Sequence, residues 1–193
     1  MTDKDAFAER ERILEEEYFR RKEKEIIDKM RRNAQAEAQR RQLAEQAGVA
    51  DEEVLRDLQA LGYTPETLML LYLVPLLQTA WAEGSVSSKE RDLIVQAARS
   101  RGIEAGSPAD AQLNLWLTER PSEELFQRTL RVIGTILQSR SPEERASSER
   151  DLLSLCTAIA AASGGIVGFG AVSEDERRIL TQITQEFEKG NKA

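Results

Sequence analysis

Side chains able to do chemistry are sparse in this chain. There is no histidine and a single cysteine, Cys156. Imidazole metal ligands, His-dependent triads and a pH switch near neutrality are therefore excluded, as are intrachain disulfides and cysteine metal clusters. Cys156 lies in "LLSLCTAIAAA" among apolar residues with no neighbouring base. That setting reads as core rather than as a nucleophile. Of the carboxylates, Glu83 and Glu90 in "AWAEGSVSSKERDLI" are the candidates for holding a cation. Calcium asks for ~6–8 oxygen ligands, and these two supply too few. The paired acids Glu123-Glu124 and Glu143-Glu144 stand at expected helix starts, where the dipole favours negative charge. The glycines of "GGIVGFGA" (Gly164, Gly165, Gly168, Gly170) come without the lysine and serine of a phosphate loop and follow a helix rather than a strand. Ile166, Val167 and Phe169 in that loop are expected to tuck onto the protein instead. No nucleophile, base and oxyanion site assemble, so no enzymatic activity and no cofactor are expected.

The elements that position these residues are legible in the punctuation. From Asp5 to Gln46 there is neither proline nor glycine, and Ala, Glu, Arg, Lys and Gln dominate. These are strong helix formers. Glu16 and Arg20, Glu17 and Arg21, and Glu25 and Lys29 stand four apart in the favourable order. Leu14, Tyr18, Ile26, Ile27, Met30 and Ala34 make a narrow, broken stripe, and Gly48 ends the run. Residues 1–47 hold 12 basic and 12 acidic side chains, whereas 48–193 hold 15 and 22. The change of texture suggests a boundary there: a charged helical segment over 1–47 and a domain over 48–193.

Beyond Gly48 the pattern becomes short, capped, amphipathic helices. "ADEEVLRDLQALGY" opens with Asp51 as N-cap and closes at Gly62. "TPETLMLLYLVPLLQTAWAEG" is expected to start with Thr64 as cap and Pro65 in its first turn, to kink at Pro75, and to close at Gly84. Trp81 and Trp116 read as core anchors. No stretch alternates with period two, so the fold is expected to be all-α. The longest apolar run, residues 68–82, is shorter than the ~20 residues of a membrane span. With a net charge of −7 and no secretion signal at the start, a cytoplasmic protein without a nucleic-acid partner or membrane insertion is expected.

One local pattern occurs twice. "VSSKERDLI" from Val86 and "VSEDERRIL" from Val172 share Val-Ser-x-x-Glu-Arg before an apolar stretch. In each, the serine (Ser87, Ser173) is placed to cap a helix and the glutamate (Glu90, Glu176) to reach back and complete a capping box. Two related helix–loop–helix units packed in one bundle follow from this repeat. With their flanks, "AWAEGSVSSKERDLI" and "AAASGGIVGFGAVSEDERRIL" resemble the paired units of the TerB-like family, named for tellurite resistance, over about residues 65–188. The resemblance implies a compact helical bundle, in some members binding divalent cations through acidic turn residues. Here Glu83 stands where the family usually has aspartate, and the second turn has no acid before Ser173.

The segment "AFAERERILEEEYFRR" raises a different possibility. Phe7, Leu14 and Tyr18 fall near one face at the spacing of a helix-in-groove ligand, and an adjacent pair of rings is unexpected on a purely solvated helix. Ala6, Phe7, Arg10, Glu11, Glu15, Glu16, Tyr18, Phe19 and Arg20 match, without a gap, the pattern of the inhibitory region of the mitochondrial ATP synthase inhibitor proteins, so that residues 6–25 resemble that region. The resemblance implies that the helix inserts into the catalytic head of an F-type ATPase and blocks ATP hydrolysis. Phe7, Arg10, Glu11, Leu14, Glu15, Glu16, Tyr18, Phe19 and Arg20 would then contact the partner. That family switches its assembly state through histidines, which this chain lacks. The expectation is a non-enzymatic regulatory binding protein with such a protein partner. The alternative is a TerB-like stress-response or scaffold module, cation-binding through Glu83 and Glu90, whose N-terminal helix self-associates into a homo-oligomer.

Overall fold

The computed structural model describes the backbone of residues 3–163 and 172–189, and the side chains of 12, 15–162 and 172–189 within them. The glycine-rich loop, and the side chains of Phe7, Arg10, Glu11 and Leu14, lie outside the described residues. All regular structure among the described residues is helical: α1 (Asp3–Ala47), α2 (Glu52–Ala60), a 3₁₀ helix (Leu68–Leu73), α3 (Val74–Ala80), α4 (Ser88–Ser100), α5 (Pro108–Thr118), α6 (Glu123–Gln138), α7 (Pro142–Ser163) and α8 (Glu174–Lys189). The expected all-α bundle behind a long charged N-terminal helix is what the chain forms.

Two units divide the chain, one ending at Arg41 and the other beginning at Gln42. The division falls inside α1, upstream of the boundary at 47/48 that composition suggests. The reason is Leu43, which is 0 % exposed and belongs to the core of the C-terminal unit. The helix ends at Gly48, whose φ of +65° costs glycine far less than a residue with a Cβ.

Within the C-terminal unit, α3 is the central element. All seven of its residues are buried, and it packs against α4, α6, α7 and α8. A short helix with apolar side chains on most of its circumference finds its stable place in the middle of a bundle. Around it gather Phe126, Leu130 and Ile133 of α6, Ile94 of α4, Leu113 and Leu117 of α5, Cys156 of α7 and Ile183 of α8, all essentially fully buried. Cys156 is thus core, as its neighbours in sequence imply, and burial pushes its thiol up to about 12.

Pro75 acts differently from the expected kink. No continuous α-helix spans residues 65–84. Residues 65–67 form a turn, closed by the Thr64 N–H donating to Thr67 Oγ1 at 2.9 Å, and the 3₁₀ helix follows. Proline lacks the N–H that an α-helix would direct at the carbonyl of residue 71, and its ring clashes there. Placed in the first turn of α3, it costs nothing, because that N–H would be unpaired anyway. The two tryptophans also depart from expectation. Both are half-buried at the edge of the core, where the Trp81 indole N–H donates to the Trp116 carbonyl at 2.9 Å. An indole keeps its ring on the apolar side and its N–H where an acceptor can be reached.

Candidate functional site

Three features could carry function: the exposed part of α1, the paired capping boxes of α4 and α8, and a cleft beside the 3₁₀ helix.

In α1 the side chains of Glu15, Glu16, Tyr18, Phe19 and Arg20 are all exposed. Tyr18 is 56 % and Phe19 62 % accessible, the two rings meeting edge-to-face with centroids 5.9 Å apart. The Lys22 ammonium lies 5.9 Å from the Tyr18 ring centre, a cation–π geometry. Glu16 and Arg20 form the expected pair at 4.0 Å, whereas Glu25 engages Lys22 at 3.1 Å rather than Lys29. Such exposed pairs contribute ~0.2–0.5 kcal/mol each and serve mainly to keep the helix formed.

The exposed apolar residues do not stop at the aromatic pair. Ile26, Ile27 and Met30 are also large and exposed. At about 100° per residue, Phe19, Ile26 and Met30 lie within roughly 20° of one line along the helix. Their spacing of i, i+7, i+11 is that of Phe7, Leu14 and Tyr18, moved on by twelve residues. Tyr18 stands about 100° around the helix from Phe19 and so lies off that line. Composition shows these residues as a single broken stripe; only their helical register separates them.

The second feature is built at two helix starts. Ser87 N–H donates to Glu90 Oε2 at 2.7 Å and Glu90 N–H to Ser87 Oγ at 3.3 Å, and Ser173 N–H donates to Glu176 Oε2 at 2.7 Å and Glu176 N–H to Ser173 Oγ at 3.2 Å. Both capping boxes anticipated from the sequence repeat are thus present. Both glutamates are buried, at 2 % and 1 % exposure. Burial pushes the Glu90 carboxyl above its usual range, the bonds from Ser87 pull it back, and the nearby carboxylates of Glu176 and Glu83 push it further up. The fold thus brings Glu83, Glu90 and Glu176 within electrostatic reach, although 86 residues separate the latter two. Glu83 itself is exposed. No group of three or more acidic or cysteine side chains poised around a metal position occurs among the described residues. Nor is any described helix long and apolar enough to cross a membrane.

In comparisons with known proteins, no family model, curated protein or solved structure matches the chain.

Proposed function

We propose that this is a non-enzymatic, cytoplasmic regulatory protein whose N-terminal helix docks on a large protein partner, most specifically the catalytic head of an F-type ATP synthase, and inhibits ATP hydrolysis there. The observation that carries the reading is the exposure of Tyr18 and Phe19 on a preformed helix. Large rings bury much area at little entropic cost when a partner closes over them, and an adjacent arginine adds directional contacts. Glu15, Glu16 and Arg20 flank the rings as the resemblance to the inhibitor proteins requires. A helix already formed before docking forfeits less on ordering than a disordered segment.

The test is ATP hydrolysis by the cognate F-type ATPase with the full-length protein and with its Tyr18→Ala, Phe19→Ala variant. Losing two central contacts of this kind weakens binding by ~2 kcal/mol or more, well over tenfold in potency. Absence of inhibition at micromolar protein sinks the ATPase reading.

A second reading is supported by the line Phe19, Ile26 and Met30, most of which lies beyond the inhibitor-like segment. Here the bundle is a TerB-like scaffold module, and that apolar line joins two copies. Sedimentation equilibrium separates the two. A dimer dissociated by Ile26→Glu, Met30→Glu, with ATP hydrolysis unaffected by the parent protein, favours the scaffold.

A further inference from the structure

Between the end of α1, the 3₁₀ helix and α6 lies an open cleft of about 580 Å³, all of whose lining residues belong to the C-terminal unit. Its volume is within the range of ~300–1,000 Å³ typical of small-molecule sites. Leu68, Leu71 and Ile136 reach it from the core, and Met69, 41 % exposed, stands over it. An exposed methionine on a concave apolar surface suits adaptable contacts, because its unbranched thioether repacks around different shapes.

Two guanidinium groups, Arg101 and Arg140, line the same cleft. Both are held by uncharged acceptors. Arg101 Nη1 donates to the Ala97 carbonyl at 3.2 Å; Arg140 donates to Ser148 Oγ at 3.1 Å and to Tyr72 Oη at 3.3 Å. Neither forms an ion pair with a described carboxylate, in contrast to Arg99 with Asp110 and Arg128 with Asp57 and Glu124. A guanidinium offers five N–H donors in a rigid fork, so each retains donors to spare while its orientation is already fixed. The acids nearby do not cancel this charge by direct contact. Glu66, which also lines the cleft, is occupied by the Thr64 hydroxyl; Asp151 lines an adjoining recess with both arginines without bonding either; and Glu144, within electrostatic reach of Arg140, accepts instead from the Ser141 N–H and hydroxyl.

We propose that this cleft binds a small anionic amphiphile, its carboxylate or phosphate head on Arg101 and Arg140 and its apolar tail over Leu68, Met69, Leu71 and Ile136. Charge complementarity selects the head, since preoriented guanidinium forks match the oxygen spacing of both acids. The apolar lining selects the tail, since each buried methylene contributes ~0.8 kcal/mol. Inorganic phosphate lacks the second of these and long-chain alcohols the first.

Isothermal titration of the full-length protein with decanoate, decyl phosphate, decanol and inorganic phosphate, each below its micellar concentration, tests this. At least one acidic amphiphile is expected to bind about one per chain and at least about tenfold more tightly than decanol, with inorganic phosphate weaker than either. Comparing the two acids identifies the head the site prefers. Arg101→Gln, Arg140→Gln is expected to reduce the affinity for the acid to that for decanol while leaving the circular dichroism unchanged. Met69→Glu, a change at an exposed position that places a negative charge in the cleft, should weaken the acids more than the alcohol. The proposal is overturned if no amphiphile binds, if the acids bind no more tightly than decanol, or if neither variant alters the preference.

Discussion

Glu90 and Glu176 occupy equivalent places in two copies of one helix start, and each accepts a 2.7 Å bond from the N–H of the serine three residues before it. Both carboxyls are buried, and Glu176 contributes to raising the Glu90 pKa. The arrangement combines a stabilising cap with an electrostatic cost, and the two effects separate on titration.

Because the Glu90 pKa is raised in the folded state, the folded protein binds the proton more tightly than the unfolded chain does. The stability linked to this group is fully present below the ordinary glutamate range and is lost as pH rises through the raised value. Glu90→Gln keeps an acceptor for the Ser87 N–H but cannot ionise. Urea midpoints of parent and variant should therefore diverge as pH rises across that window, the variant becoming the more stable. Glu90→Ala instead leaves the Ser87 cap but removes the acceptor of the Ser87 N–H, and should cost ~1 kcal/mol or more. Asp110 runs the other way: its bond from the Gly106 N–H, then the Arg99 guanidinium, hold it below its usual range. Its contribution is present above the ordinary aspartate pKa and disappears only as pH falls through the lowered one.

The unit boundary inside α1 predicts an asymmetry between two truncations. Deleting residues 1–41 should leave the cooperative unfolding of the C-terminal unit largely intact, whereas deleting 1–47 removes Leu43 from the core. Leu43→Ala in the full chain should cost ~2–5 kcal/mol, and Tyr18→Ala, Phe19→Ala less than ~0.5 kcal/mol, since those rings are exposed. Chemical denaturation followed by far-ultraviolet circular dichroism measures all four.

Gln78 is the one polar residue of α3 whose side chain finds no partner among the described residues: the residue is 2 % exposed, and neither its Nε2 nor its Oε1 is hydrogen-bonded to any of them. A buried amide left in that state costs ~1–3 kcal/mol relative to a bonded one. Replacement by the similarly shaped methionine should raise the denaturation midpoint by the equivalent of about 1 kcal/mol. A loss of stability in Gln78→Met would instead reveal a partner that the amide serves.

Cys156 is fully buried, and its thiol is raised to about 12 by burial. Since the thiolate is the reactive species, native protein at pH 8 should resist alkylation by iodoacetamide for as long as it stays folded. Full modification in denaturant, with protection in its absence, is the expected result.

Much of this architecture is local chemistry and was legible in the sequence. Asp51 caps α2 through the N–H groups of Glu53 and Val54, and Ser87 and Ser173 cap α4 and α8, because a capping box needs only residues three apart. Gly48 and Gly62 follow the ends of α1 and α2 with positive φ, a conformation set by the absence of a side chain, whereas Gly84 lies in the turn beyond α3, which already ends at Ala80. The register of Tyr18 and Phe19 on α1 is equally local. Tertiary structure decided what depends on residues far apart in the chain. Leu43 joined the C-terminal core because bundle residues cover it, which no feature of its neighbours announces. Pro75 began a helix instead of bending one, because the 3₁₀ turn before it could pack four leucines into the core. Glu90 met Glu176, and Arg101 met Arg140 across a cleft, only through the packing of helices. Side-chain spacing along a helix is fixed by the backbone, but proximity between helices is set by which apolar faces bury one another.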